Sequence, residues 1–360
     1  MKKILGVCLV VLLAVPVVSS AAAAPPFLLM WGSDGTAPGT LYKNFVRYLA
    51  LDQHENVYVP NRGFTPTSEN RVDVFNADGR LSRFFRPYET SGTLTGISVD
   101  GQGDIIVANT SCVRLEKYDN QGSFLRMWGW GVDGGAGFEI CTSSCTCGVP
   151  GGGDGQLSNP WGLATDSDGN VYVAERGNSR ITKYDSLGNF LRTWGWGVQN
   201  GTAEFQVCTS GCQAGITGAG DGQFDLVNGL AVLGETVYAA EWNNDRVETF
   251  SRDGALQTKF AVASAPAGVS VSPDGDIFVT SFWGHEVLQF NSSHTLVARW
   301  GVNGSGIGQF DNPFGVAVAP SGNVYVLDQQ NARIQKFGPT LRSFKAELRD
   351  RTKPLIAFPE

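Results

Sequence analysis

Short runs of alternating apolar and polar residues, separated by turn residues, fill the chain, and residues 153–195 show this pattern most clearly. Within this stretch, Asp168-Gly169 and Leu187-Gly188 supply the positive φ that tight hairpins need. Four short antiparallel strands are predicted, at Pro160–Asp166, Val171–Glu175, Arg180–Asp185 and Asn189–Trp194. A single such meander cannot bury both of its faces, so we expect copies of it to pack against one another.

Six copies of this pattern are present in the chain. Aligned on the residue that opens the first strand, they begin near Tyr48, Gly96, Gly162, Gly229, Gly268 and Gly315. Two of the intervals are lengthened by inserts, and the others are close to the period of roughly 40 to 50 residues that is typical of propeller blades. The sequence therefore predicts an all-β fold, a six-bladed β-propeller of four-stranded antiparallel blades.

The repeated motif resembles the NHL repeat. Its pattern is NP-x-G-hydrophobic-A, then D-x-x-GNVYV-A, then N-x-RI-x-K. Asn159–Gly188 and Asn312–Phe337 match closely, Leu226–Asp253 matches moderately, and the other three copies are degenerate. The resemblance extends from about Phe27 to Leu348. It implies a propeller but leaves the activity open, because this fold carries binding modules and enzymes alike.

The two ends of the chain differ from the repeats. Residues 1–24 contain Lys2 and Lys3, an apolar run and then small residues, which predicts a secretory signal peptide. Residues 25–348 form the predicted propeller, and residues 349–360 a C-terminal tail. Phe27–Gly32 repeats the fourth-strand motif, so either it or Thr340–Phe344 completes the last blade; the sequence leaves both open.

Charge narrows the range of partners. The formal net charge is −7 and no basic run is present, which argues against nucleic acid as a ligand. Some intracellular NHL propellers bind RNA through a basic face, and this chain departs from that pattern. With no second long apolar run, we expect no membrane span after cleavage of the leader. The predicted product is a monomer that is secreted, extracellular or periplasmic.

Six cysteines follow the leader. Cys141 and Cys145 lie in one insert and Cys208 and Cys212 in a second, each pair separated from its counterpart by 67 residues, so the inserts are duplicates. Local pairing within each insert is the simplest arrangement. It leaves Cys112 and Cys147 for a third disulfide, because their loops emerge on one face of a propeller. The alternative is a zinc site formed by Cys112, Cys141, Cys145 and Cys147.

Three acidic residues end the second strands of different blades, namely Glu175, Glu241 and Asp328. If they converged on the axis, their carboxylates could bind a hard cation such as Ca²⁺. The alternative is structural: each acid, with the Asn three residues later, would form hydrogen bonds within the loop of its own blade. Recurrence with the repeat favours the structural role.

Other candidate ligand-binding residues lie on the same predicted rim, namely Trp242, Trp283, His285, Arg176 and Asn243. Aromatic faces there could stack on sugar rings or anchor a peptide, or could instead plug the channel. Of three histidines only His285 reaches this rim, so neither a multi-histidine zinc site nor a Ser-His-Asp triad is predicted. No catalytic residue is assigned.

These observations predict a secreted, non-catalytic propeller that binds an extracellular protein or glycan on the rim built by the two inserts, without a cofactor. The alternative is a metal-dependent hydrolase, lactonase or lyase. Its metal, for example Ca²⁺, would be held on the axis by Glu175, Glu241 and Asp328.

Overall fold

The computed structural model describes residues 24–61, 70–88 and 92–339. These residues form six antiparallel sheets and contain no helix. The predicted leader lies outside them except for Ala24, as do residues 340–344 and the predicted tail. Among the described residues, no helix is long and apolar enough to span a membrane.

Each sheet is one blade of the propeller. The N-terminal strand is β1 (Phe27–Trp31). The first blade contains β2 (Ala50–Leu51), β3 (Val57–Asn61), β4 (Arg71–Phe75) and β5 (Leu81–Phe85). The second contains β6 (Leu94–Val99), β7 (Ile105–Asn109), β8 (Arg114–Tyr118), β9 (Phe124–Trp130) and β10 (Phe138–Cys141). The third contains β11 (Pro160–Thr165), β12 (Val171–Glu175), β13 (Arg180–Tyr184), β14 (Phe190–Trp196) and β15 (Phe205–Cys208).

The remaining three blades have four strands each. The fourth contains β16 (Val227–Leu233), β17 (Thr236–Glu241), β18 (Arg246–Ser251) and β19 (Leu256–Ala261). The fifth contains β20 (Pro266–Val271), β21 (Ile277–Ser281), β22 (Glu286–Phe290) and β23 (Leu296–Trp300). The sixth contains β24 (Pro313–Val318), β25 (Val324–Asp328) and β26 (Arg333–Phe337), and β1 pairs with β26 as its outer strand. The N-terminal segment, one of the two predicted candidates, therefore closes the ring.

The second and third blades have a fifth strand that the four-stranded prediction did not include. After the outer strand, each insert turns back and continues the ladder, so that Cys141 lies opposite Met127 and Cys208 opposite Thr193. The inserts thus occupy the outer edges of these two blades.

The apolar core lies mostly between neighbouring blades. Ala164, Trp194 and Phe250, for example, belong to one buried cluster shared by the third and fourth blades. At the centre the innermost strands approach so closely that a Cβ on Gly96 would lie 1.9 Å from the carbonyl oxygen of Trp161. The glycine that opens five of the six first strands is therefore required by this contact. The first blade carries Tyr48 instead.

Candidate binding site at the propeller axis

The predicted acids lie at the ends of their second strands, but their side chains are fully buried within their own blades. Glu175 accepts hydrogen bonds from Arg180 Nε (2.9 Å), Asn178 Nδ2 (2.6 Å) and the Ser158 backbone N–H (3.1 Å). Thr182 also donates to it. The guanidinium of Arg180 then extends to backbone carbonyl oxygens in the loops beside it, at Gly152, Gly153, Gln156 and Gln213. We call this buried arginine with its acid the arginine anchor of the blade.

The same anchor occurs in the fourth and sixth blades. Glu241 accepts hydrogen bonds from Asn244 (2.7 Å) and Arg246 Nε (2.7 Å). Asp328 likewise accepts from Asn331 (2.9 Å) and Arg333 Nε (2.7 Å). Burial raises the pKa of both carboxyls, and the hydrogen bonds from these partners oppose that effect. The hydrogen bonding within each blade that the sequence suggested is present in all three.

The three carboxylates do not come together among the described residues. The one cluster of potential metal ligands found there is Asp154 with Cys208 and Cys212. Both of those cysteines are in a disulfide, and Asp154 accepts hydrogen bonds from the N–H groups of Gly211 and Cys212. The three acids therefore do not form a common donor set for Ca²⁺ in this structure. Whether the protein binds Ca²⁺ is tested by elemental analysis.

Sequence reasoning missed a second way of building the anchor. In the first two blades the second strand ends in Asn61 or Asn109, and the acid comes from the third strand, as Asp73 or Glu116. Arg71 binds Asp73 (2.9 Å) and Arg114 binds Glu116 (2.8 Å). The signal was an acid two residues after the arginine wherever the second strand ends in Asn.

The fourth blade has an acid at both positions. Glu248 lies two residues after Arg246, is fully buried, and accepts a hydrogen bond from the Gly222 N–H (3.1 Å). Arg246 is 3.3 Å from it. Burial, followed by the negative charge of Glu241, raises the pKa of Glu248 to about 8.

Aromatic side chains gather at the axis. Four come from two repeated positions, the residue before the first-strand glycine and the residue after the second strand, whereas Tyr48 replaces the glycine of the first blade and Trp283 follows Phe282. We call them the axial cluster, formed by Tyr48, Trp161, Trp242, Phe282, Trp283 and Phe314. Phe314 lies centrally, with ring centroids 5.3 Å from Tyr48 and 6.0 Å from both Trp161 and Trp242. Most of these side chains are buried and fill the channel, as the alternative prediction of a plug proposed.

Trp283 differs from the other members because 62% of its surface is exposed. It packs edge-on against Trp242 (6.2 Å, 75°) and Phe282 (4.7 Å, 87°). Trp242 and Trp283 thus form a corner of two nearly perpendicular indole rings. The contacts with Phe282 hold this corner in place.

Arginines lie against the cluster. The guanidinium carbon of Arg176 is 3.9 Å from the ring centroid of Trp161, and that of Arg47 is 4.8 Å from it. Such contacts are attractive because the aromatic face carries partial negative charge. Burial lowers the pKa of Arg176 and raises the pKa of the Tyr48 hydroxyl, which the two arginines partly counteract. Arg47 and Tyr48 were not predicted, because the first repeat is degenerate.

His285 and Asn243 are tied to neighbouring loops. The Nδ1 atom of His285 accepts from the Asn312 N–H (3.2 Å) and lies 3.8 Å from Asp311. Asn243 is exposed and donates to Asp225 (3.0 Å). Neither is a member of the axial cluster.

The structure contains the three disulfides that the sequence favoured, Cys112–Cys147, Cys141–Cys145 and Cys208–Cys212. The axial cluster contains no residue of either insert. The inserts extend the outer strands, and the aromatic surface at the axis is built by the repeats themselves, so the prediction that the inserts form the ligand-binding rim stays a prediction.

This arrangement of six blades around a filled axis defines a β-propeller. An NHL-repeat family model matches residues 157–184 and 310–337, which lie in the third and sixth blades. The chain thus carries NHL repeats in these two blades and folds as a six-bladed β-propeller.

Two curated proteins are similar to parts of the chain. NHL repeat-containing protein 3 of Homo sapiens is 29% identical over 184 residues, which cover 49% of this chain and 50% of that protein. Protein lin-41 of Caenorhabditis elegans is 48% identical over 46 residues, 13% of this chain and 4% of that protein. The matched segments thus span half or less of these relatives' length.

Solved structures share the fold. A streptogramin B lyase has a TM-score of 0.52 at 14% identity, with 86% of this chain and 96% of that chain covered. A gluconolactonase from Xanthomonas campestris has a TM-score of 0.52 at 16% identity, with 88% and 96% covered. At these identities the likeness concerns the fold alone.

Proposed function

We propose that this protein is a secreted, non-catalytic NHL propeller that binds a glycan at the axial cluster. The observation that carries the proposal is the corner formed by the partly buried Trp242 and the exposed Trp283. Large exposed aromatic rings that are held in place by packing offer contact area with little conformational entropy to lose. The apolar face of a sugar ring fits such a corner.

A protein partner is the second possibility, and the size of the surface favours a glycan over it. A stable protein interface buries roughly 800 Å² on each partner around several anchors. Within the axial cluster only Trp283 is largely exposed, while Phe282 and Phe314 are buried. One or two stacked sugar residues need a much smaller surface.

Secretion is part of the proposal because of the leader pattern in residues 1–24 and the three disulfides. Disulfides persist in oxidising compartments and are rare in the cytosol. Export therefore accounts for both features together.

The test is a glycan array probed with the wild-type protein, Trp283→Ala and a control, Leu187→Ala. Leu187 is 53% exposed, at the turn between β13 and β14. We expect Trp283→Ala to lose the bound glycans and Leu187→Ala to retain them. Equal binding by all three proteins, or no glycan binding at all, would contradict the proposal.

The metal-dependent hydrolase or lyase is the alternative function. Its donors, Glu175, Glu241 and Asp328, are each engaged by an arginine of their own blade, so no specific observation favours it. Elemental analysis tests it directly. Stoichiometric Ca²⁺ in the purified protein that is lost in Glu241→Ala would favour the enzyme.

A further inference from the structure

Several polar residues that lie at the two axial repeat positions are satisfied by hydrogen bonds. In the second blade, Thr95 and Thr110 both donate to the Pro160 carbonyl oxygen, at 3.0 and 2.6 Å. In the sixth blade, Gln329 donates to the Val46 carbonyl oxygen at 3.0 Å. A polar axial residue in this propeller is thus able to find a backbone partner.

Arg176 is an exception to this pattern. Its side chain stacks on Trp161 but makes no hydrogen bond or ion pair with any described residue, and its Nε atom is buried. Arg180, four residues later, is engaged with Glu175 and four carbonyl oxygens. The two arginines lie at opposite ends of the loop between β12 and β13, yet only Arg180 has polar partners among the described residues.

Asn228 is a second exception, at the axial position equivalent to Trp161 and Phe314. Only 1% of its surface is exposed, and neither Oδ1 nor Nδ2 has a hydrogen-bond partner among the described residues. The backbone carbonyl oxygen of Asn228 lies against Gly162, the residue after Trp161, so Asn228 borders the axial cluster. The buried hydroxyl of Tyr48 also lacks a partner within the described chain.

Unsatisfied groups of this kind are costly, since a buried polar group without a partner loses about 1–3 kcal/mol. Natural proteins retain few of them, so each one calls for an explanation, such as a bound ligand, ion or water. Here a cationic group, an amide and a hydroxyl occur together beside an exposed aromatic corner. This combination is typical of a binding site with a few convergent polar groups in an aromatic lining.

We propose that Arg176 and Asn228 recognise the carboxylate-bearing sugar of an acidic glycan, a uronic acid residue. This inference rests on the proposed function and specifies its ligand. The guanidinium matches a carboxylate with two parallel hydrogen bonds, and the amide of Asn228 can both donate to and accept from sugar hydroxyls. The corner of Trp242 and Trp283 contacts the neighbouring sugar ring.

Charge supports an acidic ligand at this place and not elsewhere. The chain is acidic overall, with a formal net charge of −7. The guanidinium carbons of Arg47 and Arg176 both lie within 5 Å of the Trp161 ring centroid. The two side chains therefore concentrate positive charge at the axis. A local cationic group on an acidic protein selects an anion that reaches this point and repels large polyanions elsewhere.

The experiment is calorimetric titration with short oligomers of galacturonate, glucuronate and mannuronate, each compared with its carboxyl-reduced neutral counterpart. We expect at least one acidic oligomer to bind, and its reduced form to bind roughly tenfold more weakly because the charge-assisted pair is lost. Arg176→Gln should remove this preference. Arg80→Gln, at an exposed turn residue of the first blade, is the matched control and should retain it.

Asn228→Ala is the second variant and should weaken binding of acidic and reduced oligomers alike, because it removes contacts to hydroxyls. Its melting temperature should not fall, since the amide has no partner to lose. A fall in melting temperature with unchanged affinity would assign Asn228 a structural role and overturn its part in the site.

The failure of this inference is distinguishable from that of the proposed function. If glycans are lost with Trp283→Ala but acidic and reduced oligomers bind equally, the glycan module stands and the uronate site is overturned. If none of the three acidic oligomers binds, or if a pentaglutamate peptide binds in their place, the uronate site is likewise overturned. If the array shows no glycan at all, both fail.

Discussion

In the third blade Arg180 binds one carboxylate, Glu175, whereas in the fourth blade Arg246 contacts two, Glu241 and Glu248. The position two residues after the arginine makes the difference, because it is Thr182 in the third blade. The first, second and sixth blades also pair one arginine with one acid. The fifth blade has Glu286 at the position of the arginine. The other five blades keep the arginine and take the acid from either of two strands, and the fourth blade takes it from both.

The comparison shows how a buried charge is balanced. A second buried carboxylate beside a single guanidinium favours its protonated form, and the pKa of Glu248 is accordingly raised to about 8. In the fourth blade a proton on Glu248 thus neutralises the second carboxylate. The third blade has the neutral hydroxyl of Thr182 at this position. Four predictions test this account, from the largest expected effect to the smallest.

Arg180→Gln should be the most damaging change. It leaves Glu175 buried without its counter-charge and removes the bonds to the connecting loop, so we expect a loss of about 3–5 kcal/mol in the free energy of unfolding. Urea unfolding measures it. The control is Arg192→Gln in the same blade, a surface ion pair with Asp253, where we expect a loss below about 1 kcal/mol. Similar losses in both variants would contradict a special role for the anchor.

Glu248→Gln should change the pH dependence of stability. The folded protein holds a proton on this group up to about pH 8, whereas an unfolded carboxyl loses it near its ordinary pKa of 4.5. The wild-type free energy of unfolding should therefore fall as the pH rises through that window, by at most ~1.4 kcal/mol per pH unit from this group.

The variant removes this contribution, so at pH 8.5 we expect it to exceed the wild type in stability by about 2 kcal/mol. Urea unfolding between pH 5 and 8.5 provides the measurement. Glu235→Gln, an exposed acid of the same blade, is the control. Parallel profiles for Glu248→Gln and the wild type would show that another group carries the pH dependence.

Thr182→Glu is the reciprocal change, because it gives the third blade the composition of the fourth. A second buried carboxylate should lower stability by about 2 kcal/mol at pH 8.5 and by less at pH 5.5, where it binds a proton. Thr182→Gln is the neutral control and matches Gln335 of the sixth blade. Equal effects of Glu and Gln at both pH values would mean that volume, not charge, limits this position.

Asn178→Ala and Asn244→Ala should have the smallest effects. Each asparagine donates to the acid of its anchor and to a backbone carbonyl oxygen, at Gly151 for Asn178 and Gly218 for Asn244. We expect about 1 kcal/mol from each. Thermal unfolding at pH 7 gives the comparison. A much larger loss in one blade than in the other would show that the two anchors differ in more than the added acid.

The repeats allowed the blade number to be predicted from sequence, because each copy carries its own turn and strand signals. The roles of Glu175, Glu241 and Asp328 within their blades were also predictable, since the Asn partner recurs three residues later. Glu248 could have been recognised by comparing copies, as the one acid at its position in a blade whose second strand already ends in an acid.

The axial cluster was less accessible to sequence reasoning. Trp242 and Trp283 were placed on the correct face from the strand order. Tyr48 and Asn228, however, owe their positions to the approach of innermost strands from different blades. That approach is a contact between residues far apart in the chain, and no local pattern reports it. The position of the inserts was not predictable either, because it depends on their hydrogen bonds with the outer strands of the second and third blades.

The pairing of β1 with β26 brings together segments separated by about 300 residues of chain. Closing so long a loop carries an entropic cost, so we expect the outer strand of the sixth blade to join late in folding. Once it has formed, a proteolytic cut in a connection between any other two blades leaves the fragments joined through a hydrogen-bonded sheet. The pairing of β1 with β26 is thus also expected to hold the propeller together after a single proteolytic cut.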